Sequence, residues 1–335
     1  MTSINRRFFL GTAGVSALLL SACGSSSKED PTTTHNSSET RTVTDVEGLE
    51  VEVPINPQRI ITLSEPTLDA TLALGLKPIG TVAGRGQSTV PHYLYEKASD
   101  IELLGSVSEL NYEAIGKTSP DLILADGTSI NNRPDILEIL RQIAPVVFCG
   151  YAGGPWKTNF ENVCNAVNKV PEGKKYIEDY DTYVAQTAAE LKDRYVDKTF
   201  SIVRWQGSGP SLILKELPAG QALESLGLKR PHDQDMLGRG HSEPVSLENM
   251  ARIDADYMFL GTLGGASQEN PHSDSTADLE GAQEALKRAE QTSGFTDLRA
   301  YRENHIILVD GSQWTSTGGP LLMRGIVEDV KKSLL

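Results

Sequence analysis

Histidine, cysteine and long apolar runs are all scarce in this chain. Its 335 residues hold 3 Cys and 6 His. The histidines are scattered at positions 35, 92, 232, 241, 272 and 305, and none forms a His-x-x-x-His pair or a ligand cluster. The sequence thus offers none of the local His patterns by which zinc or manganese sites are recognised. Positive charge is in deficit too: 31 Lys and Arg stand against 45 Asp and Glu, a formal net charge of −14. Residues 1–22 carry Arg6 and Arg7 and no acid, so the rest of the chain stands at −16. Nucleic acid and an anionic membrane patch would both repel such a chain. Catalytic motifs are missing as well. Gly207-Ser208-Gly209 sits in a loop and lacks the Gly-x-Ser-x-Gly elbow. Gly261-Thr262-Leu263-Gly264-Gly265 follows a strand but lacks the Lys-Ser/Thr ending of a phosphate loop. An extracytoplasmic hydrolase is therefore a distant alternative, and an adhesive or structural protein would not need the two lobes inferred below.

The one apolar stretch of note is N-terminal. Asn5-Arg6-Arg7-Phe8-Phe9-Leu10 is a charged start, and the apolar residues that follow end at Leu20. This is too short to cross a bilayer and reads as an export signal over residues 1–22. Leu20-Ser21-Ala22-Cys23 resembles a lipobox, with Cys23 the lipid-modified residue. The paired arginines with Phe9-Leu10 resemble a twin-arginine signal, and an ordinary Sec signal is the alternative. Residues 23–40 are small and polar, as expected of a flexible tether. The expected location is the outer face of the cytoplasmic membrane, anchored by lipid on Cys23. With Cys23 acylated, Cys149 and Cys164 remain. They are either a disulfide or two small buried apolar residues.

A thirteen-residue pattern occurs twice, at 112–124 and 247–259. In each copy a capping residue, Asn111 or Ser246, precedes a Glu in the first helical turn, Glu113 or Glu248. An Asp follows two turns later, Asp121 or Asp256, and then an apolar run that reads as a buried strand. Two such units predict two similar lobes. Short strands alternate with short helices around both copies, the pattern of α/β lobes with largely parallel sheets. Between the copies, residues 174–195 contain no Gly or Pro and carry Tyr176, Ile177, Tyr180, Tyr183, Val184, Thr187, Ala188 and Leu191 at helical spacing. One long connecting helix is predicted there. The division is then 41–173 for the N-terminal lobe, 174–195 for the helix and 196–335 for the C-terminal lobe.

The lipobox, Arg59-Ile60-Ile61, Leu72-Ala73-Leu74-Gly75-Leu76-Lys77-Pro78-Ile79-Gly80, Ser119-Pro120-Asp121-Leu122-Ile123-Leu124, the long helix and His305-Ile306-Ile307-Leu308-Val309-Asp310 together resemble the solute-binding lipoproteins of iron–siderophore ABC importers. The resemblance spans the chain after residue 41. It implies two Rossmann-like α/β lobes joined by a single long rigid helix, a ligand cleft between them and little hinge closure. It also implies a ferric siderophore as ligand, an ABC permease dimer as partner, and no cofactor or catalysis. One exposed Glu per lobe would dock on the permease, and the matching positions are Glu113 and Glu248. The family also holds cobalamin and haem binders, and haem would need an axial Tyr or His, for which Tyr151 or His241 would serve.

In open α/β sheets ligands lie beyond the carboxyl ends of strands. The candidates there are Arg85, Arg204, Trp205, Arg239, His241, Trp314, Tyr151 and Trp156. Arginine would supply charge and planar donors for a bulky, often anionic iron complex, while Trp and Tyr would supply flat walls. The alternatives are surface ion pairs for each Arg and a lobe core for each Trp.

Overall fold

Glycines and prolines cut the apolar runs of this chain into short strands. In the computed structural model, residues 39–130, 133–265 and 276–335 are described. The signal, Cys23, the tether up to residue 38, His35 and His272 lie outside them. The described chain opens with a hairpin of β1 (Thr40–Thr44) and β2 (Glu50–Pro54). The Asp45 carboxylate accepts the amides of Glu47 and Leu49, each at 2.9 Å, and closes its turn.

The first sheet holds β3 (Ile60–Thr62), β4 (Gly80–Ala83), β5 (Glu102–Ser106), β6 (Leu122–Ala125) and β7 (Val146–Phe148). Its order is β5-β4-β3-β6-β7, all parallel. The second holds β8 (Phe200–Gln206), β9 (Gly209–Leu212), β10 (Glu243–Pro244), β11 (Tyr257–Gly261) and β12 (Ile306–Leu308), in the order β10-β9-β8-β11-β12. Here β8, β11 and β12 are parallel, β9 runs antiparallel to β8, and β10 runs antiparallel to β9 and so in the direction of β8. The antiparallel edge departs from the sequence expectation. Gly207-Ser208 forms a tight turn, with Gly207 at φ 60° and Gln206 paired to Gly209. Gly209 thus opens a strand where a loop was expected.

The duplicated aspartates explain the repeat. Asp121 accepts the amides of Gln58 and Arg59 at 2.7 and 2.9 Å, just before β3. Asp256 accepts the amide of Thr199 at 2.9 Å, just before β8. Each ties the start of its lobe's central strand to the start of the neighbouring strand, β6 or β11. The helical parts differ. Tyr112–Lys117 is α-helical and capped by the Asn111 side chain, which accepts from Ala114 N at 3.0 Å. Leu247–Ile253 is a 3-10 helix kinked at Asn249. Contrary to expectation, Ser246 gives it no side-chain cap and accepts instead from the Asn249 side chain at 3.1 Å.

Both sheets are buried on two faces, and strand alternation divides their side chains. Ile61 and Ile123 face a core confined to the first lobe, and Val203, Trp205, Met258 and Leu260 face one confined to the second. Ile60, Leu122 and Leu124 share a third core with Phe200, Ile202 and Phe259. That core is completed by Tyr180 and Val184 of the helix Val170–Leu191 and by Met323 and Val327 of the helix Pro320–Leu334. The long helix has 22 residues and begins and ends four residues before the expected bounds. Pro171 fits its first turn, where no amide partner is needed. Gly173 fits inside it because a Cβ there would lie 2.2 Å from Cys164 Sγ on the packed helix Trp156–Ala166. Cys149 and Cys164 are free and buried.

The C-terminal helix begins at Pro320, and its cap residue Gly319 has no side chain to offer. Asp69, from the helix Glu65–Ala73 in the other half of the chain, supplies the cap. Its carboxylate accepts Leu321 N at 2.8 Å, Leu322 N at 2.9 Å and the Tyr93 hydroxyl at 2.9 Å. Asp69 is fully buried, and that burial pushes its pKa up to about 6 against the pull of these hydrogen bonds.

Asp69→Ala orphans two buried amides and a hydroxyl, which is expected to cost ~2–4 kcal/mol and lower the melting temperature by roughly 5–10 °C. Acidity acts through the same carboxyl. It titrates near 6 when folded and at its ordinary 3.8 when unfolded, so the folded state holds the extra proton between those values. Melting temperature should therefore rise as pH falls from about 7 to about 5, and less steeply in Asp69→Asn, as followed by circular dichroism.

Candidate ligand cleft

The loops that leave β4, β5 and β6 meet at the carboxyl edge of the first sheet. Gly84–Gln87, Ser106–Ser108, Thr128, Ser129 and Arg133 line an open pocket of about 480 Å³ there. The second lobe faces the same edge. A Cβ on Gly86 would lie 2.4 Å from the Leu263 carbonyl oxygen, and one on Gly153 would lie 2.6 Å from Gly240 Cα. Glycine at these points lets backbone meet backbone across the lobes. His92 Nδ1 lies 2.5 Å from Asp310 Oδ2, and Tyr93 N donates to Ser312 Oγ at 3.2 Å. The Gln221 side chain donates to Gly154 O at 3.2 Å.

Arg85 and Arg204 come from opposite lobes, and the charge of Arg85 acts on Arg204. The Arg85 amide donates to Glu65 Oε1 at 2.9 Å, and no partner is recorded for its guanidinium among the described residues. Arg204 shares a face of β8 with Phe200 and Ile202 and donates to Thr315 O at 3.3 Å and to Ser242 Oγ. Its buried Nε has no partner among the described residues. Burial, and secondarily the charge on Arg85, pushes the Arg204 pKa down to about 10. Asp126, which follows β6, is buried, and that burial pushes its pKa up to about 6, with the Thr128 hydrogen bond opposing and the Glu65 charge assisting.

The rim is built by two facing loops. Tyr151 is 51% exposed and stands edge-on to Phe148 at 5.3 Å. Across from it, Arg239 is exposed and lies 3.6 Å from Glu243, and His241 is exposed with Nδ1 3.0 Å from Ser242 O. The three tryptophans are placed elsewhere. Trp205 is fully buried and edge-on to Phe295 at 5.5 Å, because its strand neighbour Arg204 points to the opposite face. Trp314 is fully buried on Phe259 at 4.3 Å and donates to Asp329 at 2.8 Å. Trp156 packs between Phe160 and Tyr180 and is 7% exposed. Trp205 belongs to the core of the second lobe, and Trp156 and Trp314 belong to the shared core. The sequence reading missed Arg133 and the hydroxyls of Ser106, Ser108, Thr128 and Ser129. The strand-end rule would have found the first two hydroxyls had β5 been recognised.

Glu113 and Glu248 are both exposed, each following a strand that ends at the carboxyl edge of its sheet. Glu113 pairs with Lys117 at 2.7 Å on the helix surface. A second cavity of about 440 Å³, bordered by Leu191, Tyr195, Leu226 and Leu228, lies at the amino end of β8, the edge where α/β sheets do not bind ligands. Among the described residues no group of three or more His, Cys, Asp or Glu is placed to hold a metal ion, and no helix is long and apolar enough to cross a membrane.

Known proteins share this architecture. A periplasmic binding protein family model matches residues 60–312. The probable siderophore-binding lipoprotein YfiY of Bacillus subtilis is 31% identical over 329 residues, spanning 96% of this chain and 95% of that protein. The petrobactin-binding protein YclQ of Bacillus subtilis is 22% identical, spanning 96% of each. The crystal structure of Staphylococcus aureus SirA complexed with staphyloferrin B superposes with a TM-score of 0.72. At 24% identity, over 88% of this chain and 98% of that one, it shows the shared fold.

Burial of all three tryptophans predicts that their fluorescence is shielded from acrylamide with the cleft empty or filled. Strong quenching of the empty protein would place at least one of them on the cleft wall.

Proposed function

This chain belongs to the periplasmic binding protein family, and on that premise we propose that it is a lipid-anchored receptor that captures a ferric siderophore between its lobes and delivers it to an ABC permease dimer. The observation that carries this reading is a cleft edge lined by Arg85 and Arg133 in the first lobe, with the charge of Arg85 felt at the buried Arg204 of the second, in an acidic chain. Two guanidinium groups brought together repel, and an anionic iron complex seated between them relieves that cost. The likeness to YfiY, YclQ and SirA supports the same ligand class. The protein does no chemistry on its ligand.

Capture proceeds in a largely preformed cleft. The core shared by both lobes and the long helix Val170–Leu191, which acts as a rigid connector, oppose wide opening because apolar surface would be exposed. Residues 41–173 and 196–335 move little against each other. Tyr151, Arg239 and His241 line the rim, where they touch the ligand periphery. Lipid on Cys23 holds the monomeric receptor at the outer face of the cytoplasmic membrane, and residues 23–40 give it reach. Delivery uses Glu113 and Glu248, exposed at corresponding places in the two lobes and suited to pairing with basic residues on a two-fold partner.

Two measurements separate capture from delivery. In calorimetric titration with ferric siderophores, Arg85→Ala is expected to weaken binding ~10–100-fold, the worth of a charge-assisted contact. Glu113→Ala with Glu248→Ala should leave affinity within about 2-fold, as expected of rim charges, yet abolish iron uptake by whole cells. Collapse of affinity in the double variant would end the docking role.

A further inference from the structure

We propose that the ligand is a ferric polycarboxylate, an anionic chelate built on α-hydroxycarboxylate groups, and that Arg133 is a third arginine that holds it. The inference rests on the receptor reading above and narrows it. Arg85 and Arg133 line the same pocket, and the charge of Arg85 is felt at Arg204 of the facing lobe. Arg133 has one weak partner, Asp135 at 3.2 Å, and is 59% exposed. The rest of that pocket wall is rich in hydroxyls, from Ser106, Ser108, Thr128 and Ser129.

This lining discriminates between the chemistries that bind ferric iron. A carboxylate is a planar two-oxygen acceptor that matches the guanidinium fork, and its remaining lone pairs suit Ser and Thr hydroxyls. A tris-catecholate complex is also anionic, but its outer surface is aromatic and calls for stacking walls. The three tryptophans are all committed to cores. A hydroxamate complex is neutral or cationic, so its oxygens accept from an arginine but it leaves the mutual repulsion of several converging arginines unrelieved. Negative charge over the rest of the chain makes the clustering more telling, because the charge balance of the chain is −14.

The test is calorimetric titration of the mature chain with ferric citrate and ferric rhizoferrin, both polycarboxylates, against ferrichrome, ferrioxamine B and ferric enterobactin. At least one polycarboxylate is expected to bind at least ~10-fold more tightly than all three others, and to weaken as salt is raised through the range that screens ion pairs. Arg133→Ala should cost that polycarboxylate ~10-fold while Arg133→Lys retains part of the affinity, with unchanged melting because the side chain is exposed. Tighter binding of a hydroxamate or catecholate complex, or indifference to Arg133→Ala, overturns the ligand class and leaves the receptor reading standing. Failure of all five complexes to bind overturns both.

Discussion

A single buried carboxylate joins the two halves of this molecule. Asp69 lies in the first helix of the N-terminal lobe and caps the last helix of the chain, 252 residues away at Leu321. The glycine at the cap position is required by the arrangement, since a Cβ on Gly319 would lie 2.8 Å from Asp69 Oδ1. The helix macrodipole and two bare amides favour the ionised carboxyl, while burial opposes it. Around this contact the helix Pro320–Leu334, the long helix and one face of each sheet share a core. The lobes are therefore coupled by packing as well as by the chain that connects them.

That coupling sets the character of the cleft. Its floor is fixed, so the charges on its walls are held apart and together by the fold and not by the ligand. Arg204 keeps a guanidinium partly buried, under the charge of Arg85, with a donor left over. Such an arrangement costs stability in the empty protein and gains interaction energy when an anion arrives. Preorganisation of this kind lowers the ordering cost of binding.

The repeat was legible because it has a structural cause. Asp121 and Asp256 perform the same strand-tying task in the two lobes, so the sequence around them kept the same spacing. Alternating strands and helices were legible for a similar reason: apolar runs this short fit nothing but buried strands. What escaped was direction and distance. The strand-end rule located Arg204 and Trp205 together, but adjacent residues on a strand point to opposite faces, so only the arginine turned toward the cleft. Strands β9 and β10 escaped because they are short and carry Gly and Pro. The role of Asp69 was invisible because its partners are backbone amides in a helix at the other end of the chain.

Coupling of the lobes into one body with a preformed cleft is tested by the distance between them. Spin labels on Lys117→Cys and Asn249→Cys, exposed positions in the two lobes, report the interlobe distance by electron–electron double resonance. A gallium(III) chelate of the bound class replaces iron so that the ligand is diamagnetic. The distance distribution is expected to move by less than about 2 Å on binding, the range of preorganised complexes. A shift of many ångströms, or a broad distribution in the empty protein that narrows on binding, would contradict it.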